Sequence, residues 1–284
     1  MARVYDCFTY FNEDRLLDLR LRTLSEVVDV FVIVEATRSF TGRPKTLRFD
    51  PSRFPEFADR IRHIVVDDLV PDAESAWENE YRQRNALLRG IEDADDQDRV
   101  VIADLDEIPH PDAIRAYDPR RLIGTFVQRF FSYSLNNLAV KTDDPRVARD
   151  WIRCKITTSG HIRRFFGTPQ EVRIRSRDRS LFHRWRHLRR KLGEQRLDPG
   201  GWHFSWVMSP EEMILKIESF AHTEVDRPEF KSIEAIQAAM RKGRDILGKQ
   251  ERFRLVEIDE SFPAPLHEDP ERYRNMWTPV SESP

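Results

Sequence analysis

Short apolar runs and amphipathic stretches alternate along the first hundred residues. Val4 to Thr9, Val30 to Val34 (VFVIV), Ile61 to Val66 and Val100 to Ala103 are nearly continuous in apolar side chains. That is the pattern of strands covered on both faces of a parallel sheet. Between the first two runs, Leu17, Leu21, Leu24 and Val28 recur at helical spacing, which predicts a helix from Glu13 to about Glu26 with Asn12 as its cap. A Pro-rich connection (Pro44, Pro51, Pro55) precedes the third run, and Ala76 to Ile91 reads as a second helix before the fourth. Strands alternating with helices imply right-handed crossovers, hence an α/β fold with a mostly parallel, Rossmann-like sheet flanked by helices.

The alternation fades after Leu122 to Tyr133, an aromatic stretch carrying Phe126, Phe130 and Phe131 that reads as one or two further strands. Gly200 to Val207 (GGWHFSWV) returns to strand character. Ser209, Pro210 and Glu212 then form a helix-start signature, with Glu212 completing a capping box, and the helix is expected to reach about Ala221. Another helix is expected over Ser232 to Lys242, stopped by Gly243, and a strand over Arg254 to Ile258. The Pro-rich tail from Pro263 to Pro284 is expected to pack over the body. One domain over residues 1–284 accommodates these elements, in two parts, residues 1–135 and residues 136–284 with the tail.

Composition narrows the classes. Of 284 residues, 39% are hydrophobic and 34% charged, so the chain is globular with a charged surface. A net charge of −2 argues against nucleic-acid binding through bulk charge. Cys7 and Cys154 are too few for a disulfide framework, and no 18-residue apolar run exists. Met1-Ala2-Arg3 leads straight into a strand, so neither signal peptide nor membrane anchor is expected, and a reducing, cytoplasmic setting is.

The chemistry gathers at the fourth run. In RVVIADLDEIP (Arg99 to Pro109), Asp104, Asp106 and Glu107 follow a buried strand directly. Open α/β sheets bind ligands at the carboxyl ends of their strands, and there Tyr10 to Glu13, Glu35 to Thr41 and Asp104 to Glu107 should converge. Crowded carboxylates repel unless a cation sits among them, and Mg²⁺ or Mn²⁺ suits oxygen ligands. The bland alternative is that Asp104 and Asp106 cap a helix at Pro111 and solvate a turn.

Six blocks in order resemble glycosyltransferase family 17, the bisecting N-acetylglucosaminyltransferase family: DCFTYFNE (Asp6 to Glu13), IVEATRSFTG (Ile33 to Gly42), WENEYRQRNAL (Trp77 to Leu87), ADLDEIP (Ala103 to Pro109), GGWHFSW (Gly200 to Trp206) and KIESFAHTE (Lys216 to Glu224). The resemblance implies a GT-A fold, a metal-dependent inverting transfer of N-acetylglucosamine from UDP-N-acetylglucosamine, and a glycan or glycoconjugate acceptor hydroxyl, with β-1,4 linkage as in the family. It makes Asp104-Leu105-Asp106 an Asp-x-Asp motif, with Asp106 on the metal and Asp104 facing ribose or a metal water. It places Glu35 at the uracil and ribose, with Thr9, Tyr10 and Asn12 as weaker candidates there. Arg82 and Asn85, three apart on one helix face, are candidates for the donor. Arg84 is read instead as a surface charge, and the same bland reading pairs Arg82 with Glu78 and Glu80.

For the general base, His203, Glu218, Glu224 and Glu107 are candidates. His203 is equally a third metal ligand or a satisfied core histidine, and His222 an alternative ligand. Trp202 and Trp206 either stack on sugars or fill the core. The arginine-rich stretch from Arg173 to Arg196 reads as a solvated hairpin, as an attractor of anionic substrate, or, most weakly, as a nucleic-acid surface. Two other classes stay open: a metal-dependent phosphoesterase or nuclease using Asp104, Asp106 and Glu107, and a non-catalytic carbohydrate-binding protein.

Overall fold

A computed structural model of the protein describes residues 2–71, 75–173, 190–219, 230–242, 244–246 and 251–280. Strands β1 (Val4–Thr9), β2 (Val30–Ala36), β3 (Ile61–Val66) and β4 (Arg99–Asp104) pair in parallel in the order β3-β2-β1-β4. Their register sets Thr9 opposite both Val34 and Asp104, so the carboxyl ends are level. Helices α1 (Asp14–Leu24) and α2 (Ala76–Asn85) connect them. Leu17, Leu21, Leu24 and Val28 are buried, as their spacing predicts.

Asn12 does not cap α1. The Glu13 carboxylate instead accepts from the Phe11 and Asn12 backbone N–H groups, at 3.3 and 3.0 Å. The second strand, expected to end at Glu35, runs one residue further to Ala36. The second helix changes to a 3₁₀ turn, Ala86–Gly90, packed close on β2; a Cβ on Gly90 would lie 2.2 Å from Val32.

The chain continues through β5 (Glu107–Pro109), α3 (Pro111–Ala116), β6 (Ile123–Phe126), β7 (Gln128–Ser132), β8 (Asn137–Val140), β9 (Asp150–Trp151) and β10 (Lys155–Thr158). Then come α4 (Pro169–Arg173), β11 (Glu194–Leu197), β12 (Gly201–Ser205), α5 (Pro210–Ser219), α6 (Ile233–Arg241), β13 (Arg252–Leu255) and α7 (Ala264–Glu268). His110, not Asp104 or Asp106, caps α3. The first sheet extends beyond β4 through antiparallel β10, then β6, and closes on β11.

A second sheet, in the order β13-β8-β7-β12-β5, has no counterpart in the sequence reading. The aromatic stretch divides at Val127: β6 enters the first sheet and β7 the second. Gly200 and Gly201 let β12 reach this junction. A Cβ on Gly200 would lie 2.2 Å from the Val127 nitrogen, and Gly201 has φ +109. β7 and β8 pair across residue 135, so that division runs within one sheet.

The capping box at Ser209 is present, with Ser209 N donating to Glu212 Oε2 at 2.8 Å and Glu212 N to Ser209 Oγ at 3.3 Å. The tail packs as expected: Leu266, Tyr273 and Met276 are buried, and the Tyr273 hydroxyl donates to Asp18 at 2.8 Å.

Candidate active site

The level strand ends open into a cleft of about 1400 Å³, walled by α2, α4, β12 and α5. Its floor is the Asp104–Glu107 turn, and the shape of that turn begins with a buried ion pair beneath it. Arg20, on the inner face of α1, is fully buried and grips Asp6 of β1 through two bonds of 2.6 and 2.7 Å. Its remaining Nη1 donates to the carbonyls of Asp104, Leu105 and Glu107 at 3.2, 3.0 and 2.8 Å. A planar guanidinium with five fixed donors can do both jobs at once. The backbone between β4 and β5 is therefore held from below, and its side chains turn up.

Asp104 meets two arginines. Arg84 Nη2 donates to Oδ1 at 3.1 Å, Arg173 Nη2 donates to Oδ2, and Thr9 Oγ1 lies 3.5 Å from Oδ1. Burial pushes this carboxyl up, but Arg173 and Arg84 outweigh it and hold the group well below the usual carboxylate range. Arg84 itself is buried and also bonds Glu80 at 2.9 Å and Gln170 at 2.6 Å. Arg82, by contrast, pairs with Glu78 on the exposed side of α2 and does not line the cleft. The sequence reading had the two arginines reversed. The face of α2 that meets the sheet carries Asn79, Gln83 and Arg84. Asn85 does line the cleft and accepts from Gln170 N at 3.2 Å.

Glu107 is wholly buried. It accepts from Asp104 N at 2.9 Å, from both terminal nitrogens of Arg173 and from Trp151 Nε1. It is a structural anchor without access to an acceptor hydroxyl, which removes it as a base. Glu218 is also corrected: it pairs with Lys231 at 3.2 Å and is not among the cleft residues. Glu35 lies below the cleft, tied to Lys45 Nζ at 2.8 Å, Arg48 N at 2.6 Å and Phe49 N at 3.1 Å, with His63 Nε2 at 3.3 Å. It pins the 45–49 loop rather than presenting an acceptor to a ligand. Burial raises its pKa, and the bonds from His63, Lys45 and Arg48 lower it further than burial lifts it.

Thr9 and Tyr10 reach the cleft, although the Tyr10 hydroxyl is committed to Asp14. Asn12 does not line it, and its buried Oδ1 has no partner. His222 and Glu224 lie outside the described residues, as does most of the arginine-rich stretch, whose first member, Arg173, is the clamp just described. Trp202 is core, and Trp206 lines the cleft.

Asp106 faces the open cleft. Its Oδ1 is 3.6 Å from His203 Nε2 and its Oδ2 is 3.9 Å from Lys216 Nζ. Burial lifts this carboxyl; His203 and Lys216 together bring it below its ordinary value. His203 is set by stacking: its ring lies 4.2 Å from Trp151 and 5.0 Å from Phe130, centre to centre. Trp202 and Phe204 point to the opposite side of β12, as alternation requires. Lys216 on α5 is buried, pairs with Glu13 at 3.1 Å and lies 5.6 Å over the Trp206 ring. Neither Lys216 nor Arg20 was named as a site residue from the sequence.

Three protein cations therefore do part of the neutralising that crowded carboxylates demand. Among the described residues, Asp6 pairs with Arg20, and Glu13, Glu80, Asp104, Asp106 and Glu107 are paired with or close to Arg84, Arg173 and Lys216. Arg38, Lys45, Arg153 and Glu171 also line the cleft. Asp104 has both oxygens taken by arginine and is a poor ligand. Asp106 and His203 fit better. Two ligands of one ion, each about 2.1 Å from it, lie no more than about 4.2 Å apart, and this pair is 3.6 Å apart.

The fold and cleft together define an α/β protein whose parallel strands end in an acidic, arginine-clamped turn beside a histidine. Residues 1–128 match the family model described as Glycosyltransferase family 17, which bears out the resemblance read from the sequence blocks. Relatives named beta-1,4-mannosyl-glycoprotein 4-beta-N-acetylglucosaminyltransferase, from Rattus norvegicus and Homo sapiens, are each 23% identical over 289 residues. Each alignment covers 93% of this chain and 52% of the relative, so the chain spans about half the length of the curated relatives it matches. A crystal structure of glucosyl-3-phosphoglycerate synthase from Mycobacterium tuberculosis, in complex with Mn²⁺, UDP and phosphoglyceric acid, aligns over 46% of this chain and 43% of its own. The TM-score is 0.27 at 15% identity, too slight a likeness to argue from.

Proposed function

We propose that this chain is a GT-A-type glycosyltransferase that moves N-acetylglucosamine from UDP-N-acetylglucosamine to a glycan hydroxyl with inversion, using one Mn²⁺ or Mg²⁺. The observation that carries the reading is the Asp106–His203 pair, two donors facing one cleft at the carboxyl edge of the sheet, in a chain whose first 128 residues match the family. Asp106 and His203 would hold the cation, which when bound would draw off the charge that builds on the departing diphosphate.

The chain's own residues supply the rest. Arg20 fixes the height of the turn, so that Asp106 stays turned into the cleft. Arg84 and Arg173 hold Asp104 ionised, and an ionised Asp104 suits a ribose hydroxyl or a metal-bound water. Trp151 and Phe130 keep the His203 ring in plane. Trp77 and Tyr81, neighbours on one face of α2 at 6.3 Å, and Trp206 give the cleft aromatic surfaces of the kind that pack on sugar and base rings.

No helix among the described residues is long and apolar enough to cross a membrane. Cys7 and Cys154 are both buried and unbridged. A cytoplasmic setting is part of the proposal on that ground.

The test is a donor screen: nucleotide sugars with Mn²⁺, followed by release of UDP, in parallel with phosphodiester and phosphomonoester substrates. UDP-N-acetylglucosamine turnover that disappears in Asp106→Asn supports the reading. Phosphoester hydrolysis without donor turnover points to a phosphoesterase, and glycan binding indifferent to nucleotide and metal points to a binding protein.

A further inference from the structure

The Lys216 ammonium stands where a second cation would be least welcome. It approaches the Asp106 carboxylate to 3.9 Å and is held there by Glu13 at 3.1 Å, in a buried position over Trp206. Buried charges are costly unless matched, and Lys216 is matched by these carboxylates. A divalent ion arriving at Asp106 and His203 alone would meet a positive charge within reach of the same carboxylate. An arriving diphosphate alone would meet the Asp106 carboxylate and find Lys216 already engaged by Asp106 and Glu13. Each ligand removes the obstacle to the other: the diphosphate offers Lys216 a new anion, and the cation offers the diphosphate a partner.

We propose that Lys216 acts as a resident counter-ion of Asp106 that makes divalent-cation binding and nucleoside-diphosphate binding depend on one another. This rests on the reading of the cleft as a nucleotide-sugar site. Lys216 swings from Asp106 toward the incoming phosphates, its ammonium starting 5.6 Å over the Trp206 ring. Glu13 sets how far it leans on Asp106 in the empty cleft. A coupling of this kind is reciprocal: whatever factor UDP adds to cation affinity, the cation adds to UDP affinity.

The experiment is calorimetry on the full chain with Mn²⁺ alone, UDP alone and UDP in saturating Mn²⁺. In the unaltered protein each ligand tightens the other by tenfold or more. Lys216→Met keeps the unbranched bulk and removes the charge. It binds Mn²⁺ alone at least tenfold tighter and UDP in Mn²⁺ more weakly, so the coupling factor shrinks toward one; a charge at this distance is readily worth that factor. Glu13→Gln shifts Lys216 toward Asp106 and moves Mn²⁺ affinity the opposite way, to weaker binding. Opposite signs in two separate variants exclude a general loss of fold. If Mn²⁺ affinity is unchanged or weaker in Lys216→Met while the unaltered protein binds UDP and Mn²⁺ together, the counter-ion role is overturned and the nucleotide-site reading stands. If the unaltered protein binds neither ligand in the presence of the other, both are overturned.

Discussion

Replacing Arg20 by methionine removes the support of the Asp104–Glu107 turn without touching the cleft. The substitution keeps an unbranched apolar stem and deletes two kinds of bond. It leaves Asp6 as an uncompensated charge at a fully buried position, which typically costs about 3–5 kcal/mol. It also strips a charged donor from the carbonyls of Asp104, Leu105 and Glu107, at roughly 1 kcal/mol each. The total, about 6–8 kcal/mol, is comparable with the whole stability of an ordinary domain, about 5–15 kcal/mol. Urea unfolding followed by tryptophan fluorescence measures it, because Trp151 and Trp206 line the cleft. The double variant Asp6→Leu/Arg20→Met separates the two parts. It restores an apolar match beneath β1 and recovers most of the ion-pair loss, leaving about 3 kcal/mol for the carbonyls. UDP and Mn²⁺ binding stays impaired in the double variant, since the turn is still unheld. A single variant that loses less than about 2 kcal/mol, or a double variant that binds normally, refutes the idea that Arg20 sets the turn.

Three further outcomes follow from the same geometry. Arg82→Ala changes stability and UDP binding by no more than about 0.5 kcal/mol, because its partner Glu78 is a solvent-exposed neighbour, whereas Arg84→Ala removes buried bonds to Asp104, Glu80 and Gln170 and costs about 2–3 kcal/mol by urea unfolding. Burial pushes the Lys155 ammonium down to about 8, so the unfolded chain binds more protons than the folded one between there and the ordinary lysine value near 10.4; stability rises as pH goes from about 8 to 9.5, and Lys155→Met flattens that rise in thermal unfolding. Asp104 and Asp106 are held below the ordinary carboxylate value, so their contribution is complete above about pH 4–5 and is lost as pH falls through their folded values; Asp104→Asn makes acid unfolding less steep.

The parallel half of the fold was legible because Val30 to Val34 and Val100 to Ala103 are continuous apolar runs and the leucines of α1 recur at helical spacing. The level strand ends, and so the cleft, came with that reading. The second sheet was not legible. β5, β8 and β9 span two to four residues each, too few to show any period, and β5 pairs with β12 and β8 with β13 far along the chain. Asp106 and His203 could be named because residue type and local context marked both. Glu35 and Glu107 misled for one reason: a carboxylate at a strand end looks free in sequence, while here backbone N–H groups, a lysine and an arginine consume each of them. Arg20 and Asp6 did carry a signal. Asp6 interrupts the apolar strand VYDCFT, and Arg20 falls among Leu16, Leu17, Leu19, Leu21 and Leu24, all buried. A charge of each sign on two elements that must pack together is a buried pair in waiting. Choosing Arg84 over Arg82 needed the rotation of α2 about its axis, and that is set by tertiary contact.

The most direct measurement is anomalous diffraction at the manganese edge from crystals of the full chain grown with Mn²⁺ and UDP. A cation held by Asp106 and His203 gives a single anomalous peak against both side chains, in contact with the diphosphate and absent from Asp106→Asn crystals. UDP seated in the cleft with no such peak, or a peak bound to other residues, contradicts the account at its centre.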